Sequence, residues 1–158
     1  MASTDLRAGF LALSSALTGF SAFRLEGTGQ TEAYLTTMSN IVGEATVDAL
    51  VTVHRRVVEA TGGEAAELER GLRRELLSDA KLGPVARNLV KLWYVGTWYE
   101  LPAAWREAFG ASPRDRTFVV SPEAYTEGLL WPAVGANPSG AKPLGYGTWA
   151  KPPRIETV

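Results

Sequence analysis

His54 is the only histidine of the chain and cysteine is absent, so general-base chemistry and metal ligation share a single obvious candidate. The missing thiols exclude disulfides, thiolate zinc sites, ordinary iron–sulfur ligation, c-type haem attachment and a cysteine nucleophile. His54 falls on an apolar helical stripe, and Glu44 or Asp48 alone would complete only a poor ligand set. It reads as a satisfied, partly buried histidine. Ser14 and Ser15 lack both a G-x-S-x-G context and a base to activate them, so they read as helix residues. Glu64, Glu67 and Glu69 stand at helical spacings from Arg70, Arg73 and Arg74, the pattern of a solvated helix face rather than of a paired-carboxylate site. Pro143-Leu144-Gly145-Tyr146-Gly147 is glycine-rich, but no strand precedes it and neither a G-x-G-x-x-G nor a Walker spacing is present, so it reads as a turn. No catalytic, cofactor-binding or metal-ligating residue is assigned to this chain.

The aromatic residues are more suggestive. Trp93, Tyr94, Trp98 and Tyr99 crowd one short stretch, and Tyr125, Trp131, Tyr146 and Trp149 follow it. Such a ladder suits a sugar-stacking platform, a quinone site, a core or a protein interface. Trp93 lies about one helical turn from Leu89 and Gly96, which turns part of the first cluster inward and favours core or interface. Trp98, Tyr125, Trp131, Tyr146 and Trp149 are the expected partner-facing residues, since rings bury large areas with little rotamer entropy to lose.

The elements that would position these residues differ between the two parts of the chain. Residues 1–98 read as a bundle of about five helices. The first is capped by Ser3 or Thr4, carries Leu6, Phe10, Leu13 and Leu17 on one face, and ends at Gly19. A second spans about Thr31 to Val42, and a third runs from Glu44 to Ala60 with Val47, Leu50, Val51, His54, Val57 and Val58 on its stripe. A charged helix follows from Glu64 to Leu77, and Pro84 suits the first turn of a helix running to about Gly96. Residues 99–158 read as an extended, irregular C-terminal tail rich in proline and tryptophan, with short helices at Pro102 to Phe109 and Pro122 to Leu129. The whole is a single, mainly α domain.

Composition narrows the functional classes. Sixteen basic against seventeen acidic residues give a net charge of -1, without the electrostatic footprint needed for nucleic acid. The longest apolar run, Ala8 to Phe23, is interrupted by Ser14, Ser15, Thr18, Gly19 and Ser21 and is too short for a membrane span of about 20 apolar residues. It reads as an amphipathic first helix rather than a signal peptide.

Four segments resemble the small subunit of membrane-associated, FAD-dependent sorbitol and fructose dehydrogenases. They are Asn88-Leu89-Val90-Lys91-Leu92-Trp93-Tyr94-Val95-Gly96-Thr97-Trp98, the L-S-x-x-L-T-G run within Phe10 to Phe20, Tyr125-Thr126-Glu127-Gly128-Leu129-Leu130-Trp131, and Pro138 to Trp149. The resemblance implies a non-catalytic accessory subunit that binds, stabilises and helps to mature or export a large flavoprotein of the glucose-methanol-choline type. On that reading FAD belongs to the partner, which oxidises a sugar or polyol and passes electrons to a cytochrome c subunit or another acceptor. The family's twin-arginine leader does not precede Phe10 here, so a periplasmic location is expected if a leader has been removed, with the cytoplasm as the alternative. The competing reading is a stand-alone carbohydrate-binding module or small enzyme using the aromatic tail.

Overall fold

The computed structural model describes residues 3–110 and 112–142. The protein is mainly α-helical, and each expected helix of the bundle is present. Helix α1 (Ser3–Thr18) buries Leu6, Phe10 and Leu13 and packs against α4 (Glu44–Thr61). Gly9 is what allows that approach, because a Cβ there would lie 2.3 Å from Val51 Cγ1. Helix α3 (Thr31–Val42) and α4 meet at Gly43, whose N–H closes α3 on the Ser39 carbonyl while its own carbonyl accepts from Thr46. The α4 stripe buries Val47, Leu50, Val51, His54 and Val57.

Between α1 and α3 lies a short helix that the sequence reading leaves as a connection, α2 (Ala22–Gly27). Ser21 caps it, its hydroxyl accepting from Arg24 N at 3.2 Å, and Leu25 anchors it in the core. The charged helix expected over 64–77 is also modified. It runs as α5 (Ala65–Leu72) and continues as a π-helical turn at Arg73–Leu77, with Ser78 N–H reaching back to the Arg73 carbonyl at 3.1 Å. The wider turn keeps Leu76 fully buried after Leu72.

Helix α6 (Leu82–Val95) is the centre of the molecule, touching α1, α3, α4 and the π-helical turn. It starts two residues before Pro84, and Asp79 accepts from the N–H groups of Lys81 and Leu82 at its first turn. Leu82, Val85, Ala86, Leu89, Leu92 and Trp93 are buried, and the Trp93 ring meets Tyr34 of α3 edge-on at 4.9 Å.

The core does not stop at Trp98, where the sequence reading divides bundle from tail. Leu101, Trp105, Ala124 and Leu129 belong to the same buried cluster. Strand β1 (Thr97–Trp98) pairs antiparallel with β2 (Phe118–Val119), in the register Thr97 to Val119 and Trp98 to Phe118. Helix α7 (Ala103–Phe109) lies between these strands, and α8 (Pro122–Thr126) and α9 (Leu130–Ala133) follow them. The helix expected from Pro122 to Leu129 is therefore shorter, ending at Thr126. Gly128 sits so close to α6 that a Cβ there would lie 2.7 Å from the Tyr94 carbonyl oxygen, and Leu129 N–H turns away to bond the Trp93 carbonyl at 2.9 Å.

Candidate functional site

The residues with chemical potential are placed in structural settings. His54 is buried on α4, where burial, and next the charge of Arg55, hold its pKa below the usual imidazole value. Ser14 is fully buried in α1. Glu64 caps α5 by accepting from Ala66 and Glu67 N–H, while Glu67 pairs with Arg70 and Glu69 with Arg73. Glu75, which accepts from Arg74 and Arg56, has its pKa lowered chiefly by the Arg74 hydrogen bond. Among the described residues, no three His, Asp or Glu side chains are grouped to hold a metal ion.

The aromatic residues separate into two sets. Trp98, expected at a partner interface, is wholly buried. Its indole N–H donates to Asp115 Oδ1 at 2.9 Å, and that carboxylate also accepts from Leu101 N–H and lies 3.4 Å from Arg106 Nε. A ring sealed in this way offers no surface to another chain, so its assignment to the interface is corrected to the chain's own core. Asp115 was not singled out in the sequence. It stands 17 residues from Trp98, beyond any local pattern that could have linked the two.

Tyr125 and Trp131 remain at the surface. Their rings meet edge to face at 5.4 Å, the Trp131 indole N–H donates to the Tyr125 carbonyl at 2.8 Å, and Tyr125 is 37% exposed. The pair is held from below. Ala124 and Leu129 are buried, Val120 N–H bonds the Gly96 carbonyl, and Gly96, with φ of 65°, leaves no room for a Cβ against the Ala124 backbone at 2.5 Å. The positive φ also ends α6, so one glycine both stops the helix and receives the α8 turn. Tyr146 and Trp149, the other two expected interface residues, lie outside the described residues.

Trp131 borders an open groove of about 450 Å³ between α2 and the α8–α9 turn. Phe23 and Arg24 form the α2 side, Gly128 and Leu129 lie in the lining, and Glu127 and Lys142 are joined by a 2.6 Å ion pair. Phe23 is 88% exposed, the most exposed of the large apolar side chains described. Sequence reasoning missed it because α2 is under two turns long. The available signal was Ser21 as a cap, together with the spacing of Phe23 and Leu25, which cannot both face inward on one helix. A second groove lies between the end of α1 and α5, lined by Leu17, Leu68, Leu72 and Leu77.

Compared with known protein families, with curated proteins and with solved structures, the chain gives no match.

Proposed function

We propose that this chain is the non-catalytic accessory subunit of an FAD-dependent sugar or polyol dehydrogenase complex, and that it binds and stabilises the flavin-containing catalytic subunit. The resemblance of four sequence segments names the partner class. The observation that carries the binding role is the Tyr125–Trp131 pair, a hydrogen-bonded aromatic surface beside an open groove, the kind of anchor that concentrates binding energy at interfaces. The partner, a glucose-methanol-choline type flavoprotein, would carry the FAD and the chemistry, with a cytochrome c subunit or another acceptor taking the electrons. The complex would work in the periplasm, with the cytoplasm as the alternative.

Copurification tests this reading. A tagged full-length chain should retain a much larger, yellow, FAD-containing protein through an interface of roughly 1,000 Å² or more, while the chain alone shows no flavin absorbance. A chain that binds FAD stoichiometrically by itself, or retains no flavoprotein from a host that makes one, contradicts it. A carbohydrate-binding module would also present Trp131 beside a groove, and its signature is a saturable change of tryptophan fluorescence on adding sorbitol or fructose.

A further inference from the structure

The groove beside Trp131 has an unmatched charge as well as an apolar wall. Arg7 is shared by Glu26 and Glu32, Arg55 is paired with Asp5 and Arg56 with Glu75, and Lys142 holds Glu127. Arg24, on the groove wall, makes no side-chain hydrogen bond or ion pair among the described residues. Its neighbour Glu26 is engaged by Arg7, and Glu127, the only carboxylate lining the groove among the described residues, is neutralised by Lys142. Among the described residues, the uncompensated charge of the site is therefore positive. Next to it, Phe23 stands almost fully in solvent and cannot turn inward, because Leu25 is the residue that anchors α2 and Ser21 fixes the start of the helix. Thr28 ties the other end by donating to the Leu25 carbonyl at 2.7 Å.

We propose that this groove receives a short segment of the partner protein bearing a large apolar side chain next to a carboxylate, with Phe23 and Trp131 gripping the apolar group and Arg24 pairing with the carboxylate. The proposal deepens, and rests on, the reading of the chain as a partner-binding subunit. An exposed ring on a fixed helix loses little freedom when covered, and the guanidinium presents a planar fork suited to a carboxylate. The two features together select one chemistry. An apolar segment without an acid leaves Arg24 unpaired as water is displaced, and a basic segment is repelled by it.

The test compares the full-length chain with Phe23→Ala and Arg24→Glu in two assays. Both side chains are exposed, so circular dichroism and Tm should be unchanged by either substitution, which separates lost binding from lost fold. In the first assay, the flavoprotein that copurifies with the tagged chain is separated from it and titrated back. Each substitution should weaken binding by about tenfold or more, and the Arg24→Glu defect should shrink at high salt. Equal binding by all three proteins overturns the groove proposal and leaves the accessory-subunit reading intact. In the second assay a random peptide library is panned on the full-length chain. Enriched peptides should carry an apolar residue adjoining Asp or Glu and should be lost with either variant. If that dependence holds while no flavoprotein binds, the groove chemistry stands and the partner class is wrong. Enrichment indifferent to both substitutions, or tryptophan quenching by sorbitol that disappears with Trp131→Phe, overturns the proposal.

Discussion

Trp98 and Trp131 are the same residue type in similar aromatic surroundings, yet one is a core residue and the other faces a groove. What separates them is Asp115, a buried carboxylate that gathers the Trp98 N–H, the Leu101 N–H and the Arg106 side chain. Replacing it with alanine would strand two buried donors, so Asp115→Ala should lower stability by about 2–4 kcal/mol in urea denaturation. A change under about 0.5 kcal/mol would show that the network does not hold the β1–α7 segment to the core. His54 permits a second prediction at this scale. Its folded pKa is depressed, so the unfolded chain takes up the proton first. The stability contributed by the neutral ring is full above about pH 6.5 and declines as pH falls toward the folded value. Tm should therefore fall between about pH 7 and pH 5 in the native protein and less steeply in His54→Leu. Equal slopes would contradict the burial argument. Glu75 acts in the same direction at lower pH, where its Arg74 and Arg56 pairs are lost on protonation. In sequence, the burial of His54 was legible from its place among Val47, Leu50, Val51 and Val57, whereas the fate of Trp98 was not, since its partner is distant in the chain.

Helices with a full apolar stripe and a glycine stop were legible because both signals are local. Gly43, Gly62 and Gly96 each have positive φ and each lies at a helix end. The elements that escaped are those decided by tertiary contact. Helix α2 is too short to show a period, the π-helical turn begins two residues after Gly71, which lies close against Val57, and β1 and β2 are two residues each. The break between α8 and α9 has the same origin, a glycine pressed against the end of α6. Gly96→Ala should cost about 1–3 kcal/mol, from positive φ and from contact with the Ala124 backbone together, and should lower the Tm measured by circular dichroism. The same change at Gly62, where φ is 61° but no atom approaches, should cost less, about 1 kcal/mol. Equal losses at the two positions would mean that the docking of α8 on α6 contributes nothing.

At the scale of the whole molecule, residues on both sides of Trp98 share one core, so the aromatic surface at Tyr125 and Trp131 is carried on the bundle itself. Removing the chain after Val120 would delete Ala124 and Leu129 from that core and should lower stability as well as partner binding, rather than binding alone. The mainly helical class was legible from period and composition. The groove was not, because it is made by α2 and by residues about a hundred positions later in the sequence, which no local pattern joins. The proposed function joins that surface to the sequence resemblance, and both must hold. The direct measurement is retention of the flavoprotein by the tagged full-length chain and by Trp131→Ala, read as flavin absorbance per mole of chain. The native chain should hold close to one FAD-bearing partner, and the variant should lose it by about tenfold or more at equal fold stability. Flavin retained equally by both, or by neither, contradicts the account.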